Sequence, residues 1–274
     1  MKKDLVVILI FTHKPDISTF EKVSLMQCFK VLGHHPIRLV CPHGLDISCY
    51  KEIIPSIEID FINPKWQSSY RMYNRLKISP FFYQKYKKYE FILTYELDAF
   101  VFRDELAYWC SQNYDYIGAP WFEGFGQASS PISVGNSGFS LRRVNTALKA
   151  LHRFSLINKP EEMWEYWQAR KRPLIGLLSL VKNCTVANNS FYLLNDSEEK
   201  EDIFWGKYIN RNFEWFKVAP VDQALKFSFE VNPRLLFVEN NNSLPFGCHA
   251  WWKYDLDFWL PHIQKLGYLQ ELSN

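Results

Sequence analysis

No stretch of this 274-residue chain approaches the ~20 consecutive apolar residues that cross a bilayer as a helix, so a soluble or peripheral protein is expected. Charge of one sign is not in excess either. Lys+Arg 32 against Asp+Glu 29 leaves +3, too balanced for a protein built to grip nucleic acid. The six cysteines (Cys28, Cys41, Cys49, Cys110, Cys184 and Cys248) form no CxxC pair, which argues against a zinc cage. Cys41, inside IRLVCP, has the setting of a small hydrophobe, and a reducing, cytoplasmic compartment is expected. There is no internal repeat and no low-complexity linker. One domain over 1–274 is the simplest reading, with a first half of about 1–118 and a second of about 119–274. The amino-terminal MKKDLVVILIFTHKP lacks a small-residue cleavage site after its short apolar stretch, and reads as a buried first strand rather than a leader. What is abundant is aromatic: 22 Phe, 15 Tyr and 10 Trp, enough to fill a core and to wall a sugar site.

The apolar runs Leu5–Phe11, Ile37–Cys41, Ile57–Ile62 and Phe91–Tyr95 have the near-continuous character of strands covered on both faces. Helical patterns over Ser18–Leu32 and Ser69–Tyr86 separate them, and Ser18 with Glu21 has capping-box spacing. The alternation predicts an α/β fold with a mostly parallel sheet. Further along, a helix over Asp104–Ser111, a short strand over Tyr114–Gly118, a long loop over Ala119–Val134, a strand over Phe139–Leu141 and a helix over Val144–Phe154 are expected. The last part reads as helix over Glu161–Leu180, loop over Leu193–Lys200, helix from about Asp202, strand near Leu235–Val238, polar loop over Asn240–Ser243 and helix around Asp257–Leu266.

Five segments carry candidate chemistry. In YEFILTYELDAFVF a buried strand ends in Glu96-Leu97-Asp98, where open α/β sheets place ligands and where paired carboxylates can hold a hard cation. Arg75, in YNRLKIS, can pair with Asp98 or with a phosphate. In VGNSGFSLRR two glycines flank Asn136 and Ser137, which suits either close ligand approach or a tight turn. In EEKEDIFWGKYI, Glu201 and Asp202 open a helix, as caps or as a general base that the helix dipole keeps ionised. In LPFGCHAWWKY, His249 is either a metal ligand or a satisfied, partly buried imidazole.

In this order the segments resemble the nucleotide-sugar glycosyltransferases of the GT-A fold. More narrowly, YELDAFVF, YDYIGAPWF, GNSGFSLRR, EDIFWG, FSFE and PFGCHAW are similar to a bacterial glycosyltransferase-like family found with surface-polysaccharide genes and long labelled as of unknown function. The resemblance implies a single Rossmann-like domain. It implies transfer of a sugar from a nucleotide-sugar, a UDP-sugar foremost, to a hydroxyl of a surface glycan or lipid-linked oligosaccharide. It implies Thr12, His13, Arg75, Asp98, Asn136 and Ser137 around the donor, Trp121 at the acceptor, and Asp202 as base with Glu201 as runner-up. A divalent cation, Mn2+ or Mg2+, would sit at Asp98, Glu96 and His249.

The sequence departs from the Asp-x-Asp pattern of such enzymes: Leu97-Asp98-Ala99 keeps one register, but Phe100 stands in place of the second Asp, and Glu96-x-Asp98 is the alternative pair. Direct displacement with inversion is expected, with retention left open. Two other readings compete. One is a non-catalytic module that binds a carbohydrate or nucleotide-sugar; the other is a hydrolase using Asp98 and Asp202 as its carboxylate pair. The basic-then-apolar stretch Trp167–Asn183 suggests either a peripheral contact with an anionic membrane or a buried helix.

Overall fold

A computed structural model describes residues 4–122, 131–153, 177–178 and 200–272. Four runs form parallel strands: β1 (Asp4–Phe11), β2 (Ile37–Pro42), β3 (Glu58–Ile62) and β4 (Tyr89–Glu96). Along β1 the side chains alternate between two cores. Ile8 and Ile10 pack with Leu39, Leu93 and Tyr95 on one face of the sheet; Val7 and Leu9 pack with Val40, Leu76 and Ile92 on the other. This two-sided burial explains why β1, β2 and β4 are nearly continuous apolar runs; β3, at the sheet edge, carries Glu58 and Asp60 and is only partly buried. Later strands β5 (Phe100–Val101), β6 (Tyr116–Ile117), β7 (Ala119–Phe122), β8 (Pro131–Gly135) and β9 (Phe139–Arg143) follow in the chain. β9 joins β4 antiparallel and β6 joins β9, giving the order β3-β2-β1-β4-β9-β6. The fold class is therefore α/β, with a six-stranded, mostly parallel central sheet flanked by helices.

The first helix, α1 (Thr19–Leu32), opens with the expected capping box: the Glu21 amide donates to Ser18 Oγ, and the Ser18 amide donates to Glu21 Oε2 at 2.8 Å. The helical pattern over Ser69–Tyr86 is two helices after α2 (Ser48–Ile53), namely α3 (Tyr70–Lys77) and α4 (Pro80–Lys85). Pro80 forbids helical backbone at Ser79, whose hydroxyl instead caps α4 at the Phe81 amide. The expected loop over Ala119–Val134 is a hairpin at its ends, where β7 pairs with β8. The expected strand near Leu235–Val238 is a helix, Pro233–Glu239: Asn232, in left-handed backbone with φ 54°, turns the chain and Pro233 pre-sets the first helical φ. The expected helix Glu161–Leu180, the loop Leu193–Lys200 and the segment Trp167–Asn183 lie, apart from Leu177, Leu178 and Lys200, outside the described residues.

A second, three-stranded sheet was not foreseen. β10 (Ser228–Phe229) runs parallel to β11 (Gly247–Cys248), which pairs antiparallel with β5. It rests on a third core of Trp251, Trp259, Phe229 and Leu236. Phe100 is fully buried there, its ring against Phe102, Trp251 and Tyr268. Among the described residues no helix is long and apolar enough to cross a membrane. The five described cysteines, all but Cys184, are free thiols.

Candidate functional site

Three strand ends meet at the carboxyl edge of the central sheet. β4 finishes at Glu96, whose carbonyl accepts from the Ala99 amide at 2.8 Å, so the chain turns tightly through Asp98. β10 and β11 are in parallel register with Phe229 opposite Cys248, so Glu230 and His249, the next residue of each, come out side by side. The loop from β8 to β9 closes the group. Asn136 sits in left-handed backbone with φ 81°, its Oδ1 accepts from the Phe139 amide at 3.1 Å, and its carbonyl accepts from the Tyr116 hydroxyl. Gly138 is required for a spatial reason: a Cβ there would fall 2.0 Å from His249 Nε2. The Gly-Asn-Ser-Gly segment is thus a tight turn and a seat for the imidazole.

His249 is held by carboxylates on both sides. Nδ1 lies 2.9 Å from Glu230 Oε1, and Nε2 lies 3.0 Å from Asp98 Oδ1 and 3.6 Å from Glu96 Oε2. Burial opposes charge on the ring, but Asp98, Glu230 and Glu96 together outweigh it and hold His249 well above the usual imidazole range. Glu96 moves the other way. Burial would raise it, yet Lys77 and His249 hold it well below the usual carboxylate range. The Lys77 ammonium is fully buried, donates to Glu96 Oε1 at 2.5 Å and Ser137 Oγ at 2.6 Å, and lies 4.1 Å from the centre of the Tyr73 ring. Tyr73 also donates to Glu96 Oε1, at 2.8 Å.

The residues fit a divalent cation. One ligand atom from each of Glu96, Asp98 and His249 lies within 4.8 Å of the others. Asp98 Oδ1 and His249 Nε2 are buried and make no well-formed hydrogen bond, although they face each other. An imidazole oriented by a carboxylate behind it is a common metal-ligand arrangement, and Glu230 occupies that position here. Phe100 explains the broken Asp-x-Asp pattern: its ring belongs to the third core, and the two carboxylates facing the cavity are Glu96 and Asp98.

The helical segment from Glu201 to Asn212 supplies the opposite wall. Neighbouring acids part company at its start. Glu201 is fully buried and points into the core, accepting from Arg142 Nη2 at 2.8 Å, with Lys77 at 4.0 Å. Asp202 lines the cavity. Burial, then the charges of Glu201 and Glu230, push its carboxyl up to about 6, against the helix-end effect expected to keep it ionised. The next turn is a π-helix, Phe204–Ile209. At 3.6 residues per turn, Asp202 and Arg211 would lie on opposite sides of a helix. The wider turn brings Asp202, Lys207 and Arg211 to one cavity-facing side. Gly206 keeps that face low, since a Cβ there would meet the Val134 carbonyl at 2.2 Å.

These walls enclose a cavity of about 810 Å³ lined by Glu96, Asp98, Ser137, Asp202, Glu230 and His249, with Tyr70, Trp121, Tyr208 and Tyr254 as aromatic faces. Trp121 packs over Gly135, where a Cβ would fall 1.9 Å from its ring. Of the residues expected at the site, Asp98, Glu96, His249, Ser137, Asp202 and Trp121 line this cavity, and Asn136 reaches it through His249 at 3.1 Å. Thr12, His13 and Arg75 do not line it, nor does Glu201. Thr12 is buried against the Tyr50 hydroxyl at 2.6 Å, His13 is exposed, and the cation that α3 sends to the carboxylates is Lys77 rather than Arg75. Lys77, Tyr73 and Glu230 were not anticipated. Glu230 stands at the end of FSFE, and Lys77 lies one helical turn beyond Tyr73 in YNRLKIS, so both carried a positional signal.

Residues 56–249 match the family described as a protein of unknown function, DUF5672, which is more than half of the chain. The chain belongs to that family. The matched span contains the strand-end acids, the Asn136 turn, Glu201, Asp202, Glu230 and ends on His249 itself. No curated protein matches the sequence. Among solved structures, the chain is similar to the galactosyltransferase LgtC in complex with donor and acceptor sugar analogues, at 13% identity over 95% of this chain and 94% of that one, with a TM-score of 0.48. It is similar to mouse xyloside xylosyltransferase 1 at 11% identity over 90% and 97%, with a TM-score of 0.47. The glycosyltransferase GlyE of Streptococcus pneumoniae TIGR4 aligns at 13% identity over 95% and 62%, with a TM-score of 0.45.

Proposed function

We propose that this protein is a glycosyltransferase that moves a sugar from a nucleotide-sugar, a UDP-sugar foremost, to an acceptor hydroxyl on a surface glycan or lipid-linked oligosaccharide. The observation that carries the reading is the meeting of Glu96, Asp98 and His249 with Asp202 in one aromatic-walled cavity. The order of motifs along the chain supports it independently.

Asp202 takes the proton of the attacking hydroxyl. A carboxyl near 6 is mostly ionised at pH 7 and is a stronger base than a fully solvated one. Glu201, spent on Arg142, is not available for that role. Among the described residues Asp202 is the cavity carboxylate on the wall opposite Glu96, Asp98 and His249, and a single base there favours direct displacement with inversion. Glu96, Asp98 and His249 would hold Mn2+ or Mg2+, the imidazole favouring Mn2+, and Glu230 orients that imidazole. When bound, the ion neutralises charge on the departing diphosphate. Lys207, Arg211 and Lys253 line the cavity and suit the remaining phosphate charge. Trp121, Tyr208 and Tyr254 offer faces for sugar rings.

The test is a thermal-shift series with UDP-glucose, UDP-galactose and UDP-N-acetylglucosamine, with and without Mn2+, followed by assay of released UDP. A cation-dependent rise in midpoint with at least one donor is expected. Binding without UDP release over hours in the presence of candidate acceptors and water would favour a carbohydrate-binding module. No shift with any nucleotide-sugar would sink the reading.

A further inference from the structure

A second group of metal-ligating side chains lies outside the cavity: His34, His35 and Asp104. The two imidazoles are consecutive residues in the turn between α1 and β2, held by the His35 amide donating to the Leu32 carbonyl at 2.9 Å. Asp104 follows β5 and lies just before the next helix, α5 (Leu106–Ser111), its Oδ1 accepting from the Leu106 amide at 3.0 Å. Each carboxylate oxygen faces one ring: His34 Nε2 is 2.9 Å from Oδ2, and His35 Nε2 is 3.6 Å from Oδ1. The first is an ordinary hydrogen bond. The second is too long to be one. His35 Nε2 is buried and has no partner, an arrangement that costs stability when nothing fills it. Among the described residues no Lys or Arg is paired with Asp104; Arg103 turns instead to Glu105 and to the Leu244 and Pro245 carbonyls.

We infer that His34, His35 and Asp104 form a peripheral site for a borderline transition-metal ion, Zn2+ foremost, with two imidazole nitrogens and one carboxylate oxygen as protein ligands and water completing the shell. Two nitrogens and one oxygen suit Zn2+, Ni2+ or Cu2+, whereas Mg2+ and Ca2+ want oxygen alone. The ion would clamp the α1–β2 turn to the entrance of α5, two segments far apart in sequence, and so stabilise the fold. The inference does not depend on the protein being a transferase.

The test is calorimetric titration of the full-length protein with Zn2+, with thermal melts run alongside. The cavity carboxylates and His249 also attract zinc, so the informative comparison uses an Asp98→Asn, His249→Gln background. That protein is expected to take one equivalent of Zn2+ and to gain about 2–5 °C in midpoint at saturating metal, and nothing from Mg2+. Adding His34→Asn, whose side chain is 62% exposed, leaves folding intact and should weaken zinc binding at least tenfold and remove the gain. In the otherwise unaltered protein the same substitution should lower zinc stoichiometry by one, so the outcome does not depend on the background folding. An electron paramagnetic resonance spectrum of one bound Cu2+ in the background protein should show coupling to two nitrogens. Zinc isotherms unchanged by His34→Asn and by Asp104→Asn, or a background protein that takes no zinc, would overturn the inference.

Discussion

Glu201 and Asp202 are adjacent in sequence, and Glu96 and Asp98 nearly so, yet each pair divides into one acid that is answered and one that is not. Glu201 is matched by Arg142, and Glu96 by Lys77 and the Tyr73 hydroxyl. Asp98 and Glu230 share the His249 imidazole, and with Asp202 they face the cavity. The first set is charge tied to dedicated cationic partners, Glu201 inside the core and Glu96 at the cavity wall. The second is negative charge gathered at a cavity wall. Partnered burial fixes where the strand ends and the helix stand; unpartnered burial leaves chemistry for a ligand to complete.

The largest effect should come from breaking an answered acid. Arg142→Ala would leave Glu201 in the core with only Lys77, 4.0 Å away, and a loss of about 3–5 kcal/mol in urea unfolding is expected. The double variant Arg142→Met, Glu201→Leu should recover much of that loss. A cost under about 1 kcal/mol for Arg142→Ala would mean that the two regions do not differ as argued.

An unanswered acid should behave in the opposite way. Asp202→Asn should lower kcat about 10²–10⁴-fold while leaving cation-dependent donor binding in place. Turnover within threefold of the parent protein would remove Asp202 as the base. Glu201→Gln should instead appear first as a stability defect, read from the melt before any assay.

The seat of His249 gives an intermediate effect. Gly138→Ala places a methyl group where the imidazole lies, and the ring must move off Asp98 and Glu96. Mn2+ affinity should fall at least tenfold with little change in the far-ultraviolet spectrum. An unchanged manganese isotherm would show that His249 is not a ligand.

How much of this was legible beforehand depended on the kind of signal. The parallel strands showed because burial on both faces leaves an apolar run that needs no partner to be read. Asp98, Asp202 and His249 showed because reactive side chains stood at element ends. Direction around a helix did not show. Arg75 and Lys77 are both basic residues of α3, two apart and so facing nearly opposite ways; the buried side is the one shared by Asn74 and Lys77. Glu230 offered only its place at the end of FSFE, because β10 is two residues long and has no periodicity to detect. The distinction between Glu201 and Asp202 depended on Arg142, a residue far away in the chain whose approach only the antiparallel pairing of β9 with β4 creates.

The smallest effect separates the two acid classes by pH alone. The Asp202 carboxyl rises from 3.8 to about 6 on folding, so between those values the folded protein holds a proton that the unfolded chain has released. Stability therefore falls as pH rises through this window, and the cost is fully present above about pH 6. The shift of roughly two units sets a ceiling near 3 kcal/mol; with the side chain only partly enclosed, about 1 kcal/mol is expected. Asp202→Asn has no such proton to lose, so it should equal the parent protein in stability near pH 4 and exceed it at pH 7–8. Glu96 is held low in the fold and has the reverse sign: its contribution is present above the ordinary glutamate pKa of 4.5 and is lost as pH falls through its lower folded value. Subtracting the pH profile of the Asp202→Asn variant from that of the parent isolates the first slope. A difference that is flat between pH 4 and 7 would place Asp202 among the answered acids and collapse the distinction between the two regions.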